Sequence, residues 1–190
     1  MIDAFSYLSV LLSIIIGLAI TQLLQGFGRI IQAREHVRIF WPSLAWAGLL
    51  ILVCVQSWWA MFGLRSHEDW SFFPFLVVVA QTIDLYLVTA LVLPEIAPGE
   101  EVDLRTHYYR QLTWFYCLTI ALIMISLAKD LVFSGSLPAN ANTIIQLGFM
   151  GLAVAALLVR RDWFHKLLIS VAFALFGLYV ALLFTQLPSR

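Results

Sequence analysis

The stretch that decides the fold is residues 77–93, which read VVVAQTIDLYLVTALVL. It is apolar over most of its length, and together with its flanks it is long enough to cross the roughly 30 Å hydrocarbon core of a bilayer as a helix. Asp84 lies near the middle of this helix. A carboxylate at that depth is costly, so Asp84 marks either a functional site or a buried hydrogen bond between helices.

The whole chain has the composition of a membrane protein. Of its 190 residues, 62% are hydrophobic and only 12% are charged, and the mean hydropathy is +0.93. So few charged residues cannot cover the surface of a soluble protein. At roughly 20 residues per crossing, the length accommodates six helices with short connectors and no soluble domain. We therefore predict an all-α, polytopic integral membrane protein, a compact bundle of six transmembrane helices forming one domain over residues 1–190.

Prolines and polar turn residues set the predicted ends of the helices. Pro42 opens one helix, where the first turn tolerates proline, and Pro94 closes the next. A turn at Pro98–Gly99 lies in an acidic connector, and a run of turn residues from Ser134 to Asn142 separates two later helices. The predicted helices are residues 4–33, 42–64, 71–94, 104–131, 142–159 and 163–186.

The distribution of lysine and arginine predicts the orientation, because the cytoplasmic loops of membrane proteins carry an excess of these residues. Eight of the eleven fall at one side of the six crossings, so we expect that side to be cytoplasmic and both termini to be outside. The eight are Arg29, Arg34, Arg38, Arg105, Arg110, Arg160, Arg161 and Lys166. We expect the protein to lie in a cell membrane, the inner membrane of a bacterium, with anionic lipids at the basic side.

Asp84 is the centre of the predicted site. No lysine or arginine lies at its depth, and a carboxyl group buried without a cation either keeps its proton or takes up a proton or metal cation. Polar residues expected at similar depth could share its cavity or hydrogen-bond to it. The predicted substrate- or ion-binding residues are Asp84, Gln81, Gln22, Gln25, Tyr116 and Thr119.

The end of the first helix carries a polar face. Gln22, Gln25, Arg29 and Gln32 recur at spacings of three and four residues and therefore share that face. The face is either a solvated end at the membrane surface or a polar vestibule leading toward the interior of the bundle.

We expect no enzyme, cofactor or metal site. The chain lacks a P-loop, a dinucleotide-binding glycine pattern, GxSxG and HExxH. Cys54 and Cys117 fall inside apolar helices, and no two histidines have the spacing of a metal site. We also expect no nucleic-acid partner, because the basic residues are accounted for by topology and lipid contacts.

Three hypotheses follow. The first is a small proton- or cation-coupled transporter or channel in which Asp84 lines a polar cavity. The second is a non-catalytic membrane scaffold or accessory subunit in which Asp84 makes an interhelical or intersubunit hydrogen bond. The third is a lipid-binding protein or enzyme that uses the basic rim around Arg105, Arg110, Glu95 and the histidines. Because six helices are few for a complete transport path, the protein could form a homo-oligomer.

Overall fold

The structure, a computed structural model, describes residues 4–63, 71–97, 99–136 and 140–183. The described residues form six helices that are each long and apolar enough to cross a membrane, so the all-α, six-crossing prediction is confirmed. The helices are α1 (Ala4–Gln32), α2 (Trp41–Met61), α3 (Phe72–Val92), α4 (Leu104–Ser134), α5 (Ala141–Leu158) and α6 (Asp162–Leu183).

Local backbone chemistry shifts several helix ends from their predicted positions. Helix α3 ends at Val92 rather than residue 94, because Leu93 precedes a proline and adopts an extended conformation. Helix α4 continues to Ser134 and stops at Gly135, which has the left-handed φ of 71° that glycine accepts without strain. Predicted residues 64 and 184–186 lie outside the described residues.

Side-chain caps fix the starts of α4 and α5. Asp103 accepts hydrogen bonds from the backbone N–H groups of Arg105 and Thr106 at 2.8 and 3.4 Å. Asn140 accepts one from Thr143 at 3.1 Å. Each cap satisfies donors that a helix leaves without a partner in its first turn.

Two short strands, which the sequence did not predict, join two connectors at one end of the bundle. Strand β1 (Val37–Arg38) pairs in parallel with β2 (Val102–Asp103), and Val102 N donates to His36 O at 2.9 Å. We call this end of the bundle the strand end. The opposite end, where α2 and α4 finish and α3 and α5 begin, is called the far end.

The six helices pack as a ring. Around the bundle, the neighbouring helices follow the order α1, α3, α4, α5, α6 and α2, and α2 contacts α1 to close the ring. Helix α2 also contacts α3 and α4 across the interior. Large apolar side chains face outward from the ring, and Phe72 and Leu158 are 77% and 78% exposed. Such a surface requires a lipid environment, so the chain is an integral, multi-pass membrane protein.

Candidate functional site

A cavity of about 500 Å³ lies inside the ring, between α2, α3, α4, α5 and α6. Its volume falls in the range typical of small-molecule sites. Leucine, valine and phenylalanine side chains form most of the wall. Polar side chains are set into it at intervals, namely Gln56, Ser57, Gln81, Thr82, Thr119 and Ser126.

The cavity extends from the far end deep into the bundle. Gly63, Asp130 and Asn142, all close to helix ends at the far end, belong to its wall. Tyr116, near the middle of α4, belongs to the wall at the other extreme of the cavity. At 1.5 Å per residue, Asp130 and Tyr116 are about 21 Å apart along the helix. The cavity therefore covers more than half of the thickness of the hydrocarbon core.

Three aromatic rings form the floor of the cavity. Trp46 of α2 meets Phe115 and Tyr116 of α4 edge-on, with ring centroids 5.3 and 5.9 Å apart. All three side chains are buried. Edge-to-face contacts of this kind stabilise a fixed arrangement of rings, which separates the cavity from the strand end.

A chain of buried hydrogen bonds continues from the floor toward the strand end. The hydroxyl groups of Tyr116 and Tyr108 are 2.7 Å apart, and the Tyr108 hydroxyl is 2.9 Å from Nδ1 of His165. The three residues are 1%, 6% and 0% exposed. The chain joins α4 to α6, and each of its groups can both donate and accept a hydrogen bond.

A second polar group, which we call the amide cluster, lies at the far end of the cavity and consists of Asp130, Asn142, Gln146 and Tyr179. Asn142 Nδ2 donates to Asp130 Oδ2 at 2.8 Å, and Gln146 Nε2 donates to Asn142 Oδ1 at 3.0 Å. The Tyr179 hydroxyl also donates to Asn142 Oδ1, at 3.1 Å. The cluster brings together α4, α5 and α6, and all four residues belong to the cavity wall.

The structure places three of the six predicted site residues on the cavity wall and three away from it. Gln81, Tyr116 and Thr119 line the cavity. Gln22 is half-buried and Gln25 is exposed on α1, which contributes no residue to the wall within the described ranges. A role for any of the six in binding stays a prediction.

Asp84 lies beside the cavity rather than on its wall. Leu91, seven residues later and therefore on the same face of α3, accepts a hydrogen bond from His107 Nε2 of α4 at 3.0 Å. Asp84 is buried on the face of α3 whose Leu91 carbonyl group contacts α4. Its side chain is 7% exposed, and Oδ2 has no hydrogen-bond partner among the described residues.

The basic rim at the strand end is held by contacts within the protein. Arg105 Nε and an Nη atom donate to both carboxylate oxygens of Asp162 at 2.8 and 3.2 Å, and Tyr109 OH donates to the same carboxylate at 2.7 Å. His107 and His165 are buried. In the part of the chain that the structure describes, no three His, Cys, Asp or Glu side chains are grouped as a metal site requires.

The amide cluster was missed by the sequence analysis. Asp130 lies near a helix end, where charged residues are usual, and the sequence predicts Asn142 as a turn residue. One usable signal was present, since Asn142 and Gln146 are four residues apart and share a face of α5. Their meeting with Asp130 and Tyr179 depends on the packing of three helices.

Comparison with known proteins leaves the geometry as the sole basis for a functional argument, because no protein-family model, curated protein or solved structure matches this chain.

Proposed function

We propose that the protein is a non-enzymatic membrane transporter or channel that binds a small solute in the cavity between α2 and α6. The observation that carries this proposal is the cavity itself, which is of ligand size and extends from the far end to an aromatic floor deep in the bundle. Apolar walls with a few convergent polar groups are typical of a binding site for small molecules.

Proton coupling is supported by the hydrogen-bond chain beyond the floor. Tyr116 contacts the cavity, and Tyr108 and His165 continue the chain toward the strand end. Buried chains of titratable groups are the usual proton relays of membrane transporters. In this proposal Asp130 is the acid on the cavity wall, and Asp84 is adjacent to the wall.

The proposal is tested by filling the cavity. Ala172 is buried on the cavity wall, whereas Ala174, two residues further along α6, is exposed on the outer surface. We expect Ala172→Phe to reduce proton flux into liposomes nearly to the level of protein-free liposomes. Ala174→Phe should leave the flux unchanged. The flux is measured with an internal pH-sensitive dye, with and without small amines, alcohols and carboxylates outside.

Two results would contradict the proposal. One is a wild-type flux that equals that of protein-free liposomes under every solute condition. The other is an equal flux in Ala172→Phe and Ala174→Phe, provided that gel filtration shows both variants to be folded.

A second candidate function, a scaffold or accessory subunit, is favoured by the burial of Asp84 away from the cavity. A neutral carboxyl or amide group at this position can donate to a neighbouring helix, whereas leucine cannot. If Asp84 has this role, Asp84→Asn is tolerated and Asp84→Leu lowers the thermal unfolding temperature or dissociates an oligomer. An unfolding temperature and oligomeric state unchanged in Asp84→Leu would exclude it.

A further inference from the structure

Gln146 carries a buried hydrogen-bond acceptor without a partner. Its side chain is 8% exposed and belongs to the cavity wall. Its Oε1 atom makes no hydrogen bond to any residue that the structure describes. A buried polar atom without a partner destabilises the protein, so an occupant of the cavity that donates a hydrogen bond to this atom would be stabilised.

The partners of Gln146 determine that the free atom is an acceptor. Asn142 donates its NH₂ group to Asp130 Oδ2 and so presents its oxygen to the other side. That oxygen accepts from Tyr179 and from Gln146, which must therefore present its own NH₂ group. Oε1 of Gln146 therefore has no hydrogen-bond partner among the described residues, and a ligand that binds to it must be a hydrogen-bond donor.

The charge of the cluster favours a cationic donor. Asp130 has no ion-pair partner within 4 Å among the described residues, where the salt bridge present is Arg105–Asp162. Lys129 also lines the cavity and interacts electrostatically with Asp130, but it makes no ion pair with that carboxylate within 4 Å. A carboxylate in a partly buried site gains most from an ammonium group that binds next to it.

The wall below the cluster is apolar. Gln146, Phe149 and Ala153 share the cavity face of α5, and Tyr179, Phe176 and Ala172 share that of α6. A ligand held at the amide cluster therefore extends an apolar body toward the aromatic floor.

We propose that the amide cluster binds the ammonium group of a small primary amine, with Gln146 Oε1 and Asp130 as acceptors and the alkyl or aryl body of the amine along the cavity. This inference rests on the proposed function and names its class of solute.

The test compares three probes of one size and shape, n-hexylamine, n-hexanol and hexanoate. Their binding to the full chain in lipid nanodiscs is measured by titration calorimetry at neutral pH, with empty nanodiscs to subtract partitioning into lipid. A hydrogen bond to a charged group contributes about 1.5–3 kcal/mol, so we expect hexylamine to bind at least about tenfold more tightly than hexanol. Hexanoate should bind most weakly.

Variants of two glutamines provide the control. Gln146→Leu removes the acceptor at similar volume and should weaken hexylamine at least about tenfold, and hexanol less, because hexanol donates only a neutral hydrogen bond. Gln146→Glu keeps an acceptor and adds charge but loses the NH₂ donor to Asn142, so it should bind hexylamine more tightly than Gln146→Leu does. Gln111→Leu, on α4 and away from the cavity wall, should bind all three probes as the wild type does.

The outcomes separate this inference from the proposed function. Equal binding of hexylamine and hexanol, preference for hexanoate, or unchanged hexylamine affinity in Gln146→Leu would overturn the amine assignment alone, because the cavity would still bind a solute. Binding of none of the probes above empty nanodiscs would contradict both.

Discussion

At the scale of single residues, the hydroxyl of Tyr108 holds the hydrogen-bond chain together. It bridges the Tyr116 hydroxyl and Nδ1 of His165, and both of these groups are buried. Without it, two polar groups lose a partner inside the protein. The residue therefore combines a structural role with a proposed role in proton transfer.

We predict that Tyr108→Phe lowers the free energy of unfolding by about 1–3 kcal/mol, because buried polar groups are left unsatisfied. It should also reduce proton flux in liposomes. Tyr86→Phe, on α3 and outside this hydrogen-bond chain, should change neither. Stability is measured by denaturant titration in detergent. A Tyr108→Phe protein with wild-type stability and wild-type proton flux would show that the hydrogen-bond chain has no function.

The residues of the site were only partly predictable from sequence. Asp84 was identified by its charge in an apolar helix. The direction of its side chain depends on which helices flank α3, and the sequence of an apolar helix carries little information about its neighbours. Asp130 was overlooked because it lies near a helix end, where charged residues are usual. Its partners Asn142 and Gln146 are 12 and 16 positions away in the chain.

At the scale of the helices, the close approach of α1 and α3 depends on a glycine. A Cβ atom at Gly26 would lie 2.8 Å from Leu93 Cδ1 and 3.0 Å from Leu93 Cβ, whereas at Gly28 it would meet nothing within 4 Å. The two glycines belong to the same helix and differ in their surroundings. They form a matched pair for testing this contact.

We predict that Gly26→Ala lowers the free energy of unfolding by about 1–3 kcal/mol, because the added methyl group forces Leu93 to move. Gly28→Ala should be neutral or stabilising by up to about 1 kcal/mol, since alanine favours the helix. Both are measured by thermal and denaturant unfolding. Equal stability of the two variants would mean that α1 and α3 are not in contact at this point.

The existence and number of the helices were predictable because length and hydropathy decide them. The ends of the helices were less predictable. The end of α4 depends on the left-handed conformation of Gly135 rather than on hydropathy. The pairing of Val37 with Val102 joins connectors that are far apart in the sequence, and strands of two residues leave no pattern that a sequence could reveal.

At the scale of the whole molecule, the order of the helices around the ring creates the cavity. Helix α2 packs between α1 and α6, and α3 between α1 and α4, so sequence neighbours are not always spatial neighbours. Charge counts predict which end faces the cytoplasm but carry no information on this order. The central claim is that the cavity admits water and solutes from the far end.

The most direct test is the accessibility of Thr119 to a thiol reagent that cannot cross membranes. Thr119 lines the cavity about 16 Å below Asp130 along α4, whereas Met124 is 58% exposed on the outer surface of the same helix. The cysteines would be introduced singly after Cys54 and Cys117 are replaced by alanine.

We predict that Thr119→Cys reacts with a cationic methanethiosulfonate reagent from one side of the membrane only. If the arginine-rich strand end is cytoplasmic, this side is the outside of intact cells. Met124→Cys, facing lipid, should stay unmodified. Labelling is measured by the mass of the purified protein. Absence of labelling of Thr119→Cys from either side, in a protein that folds and inserts normally, would contradict the account.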